Sequence, residues 1–90
     1  EVEAFEAELA AYFGLEHAIT FPYGRSAIYA ALRTLDEGGG EVVQPAYNCV
    51  VVAHATMVAG YRPVFVDAQT ESPNQDPAQM VERVTPRTTA

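Results

Sequence analysis

Apolar and polar positions recur along this chain with two periods, and the periods divide it into segments. Val2, Phe5, Leu9, Tyr12 and Phe13 repeat at helical spacing, with Glu3, Glu6 and Glu8 on the other side. This predicts an amino-terminal helix with a solvated acidic face, stopped by Gly14. The short run HAITF (17–21) reads as a buried strand. Ile28, Ala31, Leu32 and Leu35 then make one apolar helical face starting just after Ser26, and DEGGG (36–40) breaks it. EVVQP (41–45) predicts a second strand closed by Pro45. From about Asn48 to Ala59 the chain is apolar nearly all round, which suits a helix sandwiched between layers, with Gly60 as its stop. PVFVD (63–67) is the third strand. DPAQ (76–79) is a capping box, with Asp76 at N-cap, Pro77 at N1 and Gln79 at N3. It opens a helix with Met80, Val81 and Val84 facing inward, and TPRTTA (85–90) reads as the start of a further strand.

Strands separated by helices imply an α/β fold, with parallel pairing, right-handed crossovers and helices on the sheet faces. Simple adjacency would pair HAITF with EVVQP. Ligands of such sheets bind at the carboxyl ends of the strands, which here are Phe21 to Ser26, Gln44 to Asn48, and Asp67 onward. There is no internal repeat and no linker. The ends look cut: there is no initiator Met, Glu1 falls inside a helical pattern, and the chain stops as a strand begins. Residues 1–90 are therefore expected to be part of one larger domain, truncated at both ends, with no second domain.

Composition narrows the class. Ninety residues, about half of them apolar and without low-complexity tracts, describe globular sequence. The net charge of -7 argues against nucleic acid and against an anionic membrane surface, both of which favour clustered Lys and Arg. All five basic residues are arginine, so the chain contains no lysine. No apolar run approaches membrane-spanning length and no signal-peptide pattern is present, so a soluble, cytoplasmic protein is the expectation. The single cysteine excludes an internal disulfide.

Gly24-Arg25-Ser26 is the best candidate for chemistry. Glycine lets the backbone turn tightly and approach a ligand closely. With Ser26 as N-cap, the free N–H groups beyond it and the helix dipole favour a phosphate, and Arg25 adds charge. Plain helix capping explains the same residues. The pattern is neither the phosphate loop of nucleotide hydrolases nor the three-glycine dinucleotide fingerprint. PAYNC (45–49) leaves the second strand at the same edge: Tyr47 is placed to flank a ring and Asn48 to cap the next helix. Cys49 is open to two readings, a reactive thiol at a helix N-terminus or a small packing residue. Asp67 is equally open to ligand contact and to turn duty. His17 and His54 have no metal-ligand spacing.

The run FEAELAAYFGLEHAITFPYGRSAIYAALRTL, then EVVQPAYNCVVVAHATMVAGYRPVFVDAQ, then NQDPAQMVERVTPRTTA resembles the amino-terminal part of the DegT/DnrJ/StrS aminotransferases. PVFVD followed by TPRT is the more specific part of the likeness, and the ordered match along the whole chain is more specific still. The resemblance implies a three-layer α/β architecture with a mostly parallel sheet and flanking helices. It would be part of the large domain of the aspartate-aminotransferase-like (fold type I) pyridoxal-phosphate fold, whose first strand neighbours only the last. It implies pyridoxal 5'-phosphate as cofactor, a nucleotide-linked keto-sugar and an amino-acid donor (glutamate or glutamine) as substrates, and a homodimer.

In that family the turn after the first strand cradles the cofactor phosphate, which assigns Gly24, Arg25 and Ser26 to that role. Cys49 falls where an aromatic ring commonly stacks on the pyridine, so either sulfur packs that face or Tyr47 reaches over. Tyr23 and Arg25 also depart from the usual small residue and threonine. The reaction needs a lysine to bind the cofactor and move the proton, and a carboxylate at the pyridine nitrogen. Both lie downstream in the family, so the chain by itself is expected to be inactive. A same-fold deoxysugar dehydratase, with histidine in place of that lysine, and a non-catalytic binding or regulatory homologue are the alternatives.

Overall fold

The computed structural model describes residues 1–35 and 39–90. Among them the elements run α1 (Val2–Phe13), α2 (Gly24–Arg33), β1 (Glu41–Pro45), α3 (Val50–Val58), β2 (Arg62–Val66) and α4 (Pro77–Arg83). β1 and β2 pair in parallel, from Glu41 opposite Arg62 to Pro45 opposite Val66. On the other side of β1, Thr88 bridges Glu41, also in parallel. The Glu41 N–H donates to the Arg87 carbonyl, the Thr89 N–H to the Glu41 carbonyl and the Val43 N–H to the Ala90 carbonyl, each at 2.8 Å. β1 is thus the central strand, and the strand expected from TPRTTA does begin at the chain's end. The chain steps outward from β1 to β2, then back across to the far side of β1. With right-handed crossovers, that reversal puts α3 and α4 on opposite faces and gives the helix–sheet–helix layering.

The core lies between the sheet and the α2–α3 pair. Leu32, Val42, Ala59 and Tyr61 form it, with Ile28 packed against it. The Tyr61 hydroxyl donates to the Leu32 carbonyl at 3.0 Å and the Arg33 guanidinium to the Ala59 carbonyl at 3.3 Å. These bonds clip the carboxyl ends of α2 and α3 together. Gly60, at φ 95°, takes the left-handed turn that lets the chain leave α3 for β2. At Gly40 a Cβ would collide with the Thr89 side chain and meet the Arg87 carbonyl at 3.0 Å, so glycine is required where the last segment crosses β1.

Alternation along β1 puts Glu41 on the face opposite Val42 and Gln44. Its carboxylate is buried and pairs with Arg62 from β2 and with Arg87 Nη2 at 2.9 Å. The Thr85 hydroxyl donates to it at 3.4 Å. The Arg62 hydrogen bond, helped by the charges of both arginines and by Thr85, outweighs burial and holds this carboxyl below its ordinary value.

Several expectations change. HAITF forms no strand: Ile19 and Phe21 are exposed, and no ladder partner exists for the segment among the described residues. β1 has its two neighbours already, so pairing by adjacency is excluded. The segment is tied instead to α1, where the Thr20 N–H and hydroxyl both donate to Glu6 Oε1, at 2.6 and 2.7 Å. Glu6 is therefore not a merely solvated side chain, and the Thr20 bonds lower its pKa. Of the α1 stripe, Val2, Phe5, Tyr12 and Phe13 are exposed, although Gly14 does close the helix in the left-handed region at φ 66°. α3 begins two residues later than expected and leaves Val50, Met57 and Val58 exposed. In α4 the capping box forms, with Asp76 Oδ1 accepting from the Ala78 N–H at 2.9 Å and the Gln79 N–H at 3.4 Å. Val81 and Val84 nevertheless point to solvent, because a seven-residue helix presents only one turn to the sheet. The break expected at DEGGG falls on Asp36–Gly38, outside the described residues.

The lowered Glu41 pKa fixes a sign. The folded state prefers the ionised carboxyl, so this stabilisation is complete above the ordinary value of 4.5 and is lost as pH falls through the lower folded value. In the protein that carries this chain, Glu41→Gln is expected to lower the thermal midpoint at neutral pH and to narrow the gap to the native protein below that value. Parallel midpoint curves at every pH would refute this. The 90 residues alone, with a radius of gyration of 15.3 Å against about 12 Å for a compact domain of this length, are expected to bind an apolar dye and to melt without a cooperative transition. A sharp calorimetric transition without dye binding would contradict that.

Candidate functional site

Two backbone turns leave the carboxyl ends of β1 and β2. Ala46 to Cys49 leave β1 and enter α3, and the Ala46 N–H donates to the Val66 carbonyl at 2.8 Å, tying this turn to the end of β2. Asp67 leaves β2. It is exposed, and its Oδ1 accepts from the Ala68 N–H at 2.8 Å while its carbonyl accepts from the Asp76 N–H at 3.2 Å. Turn duty accounts for it.

α2 begins at Gly24, with Tyr23 in extended conformation as N-cap and no side-chain cap. Ser26 is therefore not the cap expected from the sequence but the third helical residue, and its N–H already bonds the Tyr23 carbonyl at 3.0 Å. The N–H groups of Gly24 and Arg25 take no partner among the described residues, as the first groups of an uncapped helix must. Gly24 is not in the left-handed region, and a Cβ built there meets nothing within 4 Å. The tight-turn reason for this glycine thus falls away. What remains is open space directly before two unused donors at the positive end of a helix dipole, an arrangement that suits a phosphate. The Arg25 guanidinium stacks over the Tyr23 ring, 4.7 Å from its centroid. Tyr23, unusual at that position, so gives Arg25 a platform.

The residues singled out in the sequence do not share one cavity. Arg25 and Ser26 line a cavity of about 260 Å³ between α2 and α3, with Tyr29, His54 and Val58. Cys49 lines a second, of about 180 Å³, between the first turn of α3 and the sheet, with Gln44 and Phe65. Tyr47 lines neither and is 74% exposed. Cys49, not Asn48, is the N-cap of α3; Asn48 Oδ1 accepts from the Cys49 N–H at 2.7 Å. Cys49 is exposed, so it is not a packing residue within the described chain. His17 lies on the surface 3.4 Å from Glu16, and among the described residues no group of three His, Cys, Asp or Glu could hold a metal. Gln44 escaped the sequence reading. Its signal was a lone polar residue inside an apolar strand.

A profile of the DegT/DnrJ/EryC1/StrS aminotransferase family matches residues 1–90, and the chain belongs to this family. It is 38% identical, over its whole length, to the dTDP-3-amino-3,4,6-trideoxy-alpha-D-glucose transaminase of Streptomyces venezuelae. It spans 24% of that relative. Among solved structures, DesV of S. venezuelae superposes with a TM-score of 0.86 at 36% identity, over 97% of this chain and 24% of that one. A GDP-4-keto-6-deoxymannose-3-dehydratase with a trapped PLP-glutamate geminal diamine gives 0.83 at 26% identity, over 97% of this chain and 24% of that one. The fold is therefore that of the type I pyridoxal-phosphate enzymes, as the sequence implied. The chain covers about a quarter of these proteins.

Because none of the described residues occupies the space at Gly24, Gly24→Ala is expected to leave the fold intact and to raise stability by about 0.4–1 kcal/mol. Chemical denaturation of the whole protein checks this. A loss of stability would mean that the fold itself demands the glycine.

Proposed function

We propose that these residues are the amino-terminal part of the cofactor-binding domain of a pyridoxal-phosphate-dependent aminotransferase. The whole protein would move an amino group from an amino acid, glutamate or glutamine, to a keto-sugar nucleotide, working as a homodimer in the cytoplasm. The observation that carries this reading is the start of α2: two unused N–H groups, no side-chain cap, and no Cβ to block approach. Gly24, Arg25 and Ser26 would hold the phosphate there. The Ser26 hydroxyl has no hydrogen bond among the described residues and can donate to a phosphate oxygen. Arg25, the second residue of α2, stacks on the Tyr23 ring and would add positive charge beside the phosphate. Cys49, at the start of α3, would lie against the cofactor ring, with Tyr47 free to turn over it. Pyridoxal phosphate, when bound, supplies the carbonyl carbon that accepts the amino group and the ring that draws off its electrons. The chain has no lysine, so the residue that binds the cofactor and moves the proton belongs to the remainder of the whole protein.

Likeness to the dehydratase favours a second reading on the same cofactor, in which the sugar loses an oxygen instead of gaining a nitrogen. Titration of the whole protein with pyridoxal phosphate is expected to give the visible absorbance of a lysine-bound cofactor, bleached by L-glutamate. Gly24→Val should weaken cofactor binding about tenfold or more, because it blocks charge-assisted bonds to the backbone. Mass analysis of a nucleotide keto-sugar incubated with both then separates the readings. A protein that takes up no pyridoxal phosphate would defeat both and leave the non-catalytic homologue.

A further inference from the structure

Residues 17–21 run without turn or bend, and none of them has a positive φ. Pro22 follows, which favours the extended region for Phe21. In an extended chain the backbone groups of successive residues point to opposite edges. Ala18 and Thr20 therefore present theirs to one edge, and Ile19 and Phe21 to the other.

The two edges have different surroundings. On the first, the Thr20 N–H and hydroxyl both donate to Glu6 Oε1, at 2.6 and 2.7 Å. Both bonds are short, as bonds to an ionised carboxylate are. α1 runs alongside, and a cavity of about 250 Å³ between it and the segment is lined by Glu3, Glu6, Glu16, His17 and Ala18, among others. A strand arriving on this edge would have to displace a charged acceptor and lie against three carboxylates. On the second edge, the N–H and C=O groups of Ile19 and Phe21 have no partner among the described residues. Their side chains are exposed and apolar, of the kind that cross-strand neighbours cover.

We propose that Glu6 closes the edge carrying Ala18 and Thr20 against strand pairing, so that residues 17–21 accept one extended strand, on the edge carrying Ile19 and Phe21 alone. The incoming strand belongs to the same polypeptide, since this chain spans only 24% of a relative it matches over its whole length. The closed edge also keeps the sheets of two copies from joining there, because an open edge is a template for another chain. The inference does not depend on the cofactor reading.

Residue-resolved hydrogen exchange of the whole protein tests it. In the native protein the Ile19 and Phe21 amides are expected to be protected equally at low and high protein concentration. Glu6→Ala should speed exchange at Thr20 about tenfold or more, because a charge-assisted bond is lost, and change Ile19 and Phe21 less than about twofold. Glu6→Gln keeps an acceptor oxygen in place and should give a smaller increase at Thr20. Thr20→Pro removes the N–H itself. An edge that pairs with no strand tolerates proline, so the soluble yield of this variant should stay within about twofold of native, whereas Ile19→Pro should lose it about tenfold or more. The two proline variants keep the inference open to refutation if Glu6→Ala misfolds. It is overturned if exchange at Thr20 is indifferent to Glu6, if Thr20→Pro is as damaging as Ile19→Pro, or if Ile19 and Phe21 are unprotected in the native protein. Protection of those two that rises with concentration would overturn the intramolecular partner in favour of a second copy.

Discussion

Glu41 joins three stretches of chain that have little else to hold them together. It is the first residue of the central strand, its backbone is bonded to the segment around Thr88 on one side and its carboxylate meets Arg62 from β2 on the other. A buried carboxylate is costly unless it is paired and hydrogen-bonded. Arg62, Arg87 and Thr85 together meet that condition. The constraint runs in both directions. Without the two arginines the carboxylate has no place inside the sheet, and without the carboxylate two guanidinium groups are left facing each other across β1. Gly40 belongs to the same arrangement, because any side chain there would push the Thr89 segment away from the strand.

What was legible in the sequence was mostly local. The Asp76–Gln79 box completes itself within one turn, where the Gln79 amide donates to Asp76 Oδ2 at 3.1 Å, and can be read from four letters. Gly14 and Gly60 stop their helices by their own backbone freedom. The order of strands and helices, and with it the layering, follows from alternating periods. The start of α2 was misread for an equally local reason. Ser26 is the better capping residue by type, yet the N-cap is Tyr23, three residues earlier, with no side-chain cap bond. That exposed start is the feature on which the proposed phosphate site rests.

What was not legible depended on partners far away in the chain. HAITF has the composition of a strand, but a strand exists only when another backbone completes its ladder, and none of the described residues does so. Val81 and Val84 have the spacing of a buried face, but burial needs a surface to pack against. Gln44 looked like one polar residue in an apolar run. Its meaning depends on Thr56, 3.1 Å from its Oε1, which no periodicity reports. Cys49 and Arg25, both singled out from sequence, turn out to border two separate cavities, with α3 between them.

The reversal in strand order also bears on synthesis. A ribosome releases β1 and β2 first, so the growing chain can form a two-stranded ribbon in which Glu41 has found only Arg62. The second arginine arrives with the last residues of this segment, from the opposite flank of β1. Until then the free edge of the central strand is an open hydrogen-bonding template, and the carboxylate at its head has only one of its two arginine partners. Domain assembly during translation generally proceeds from the amino end. Here that direction leaves a nascent intermediate whose most vulnerable edge belongs to the strand that will become the middle of the sheet.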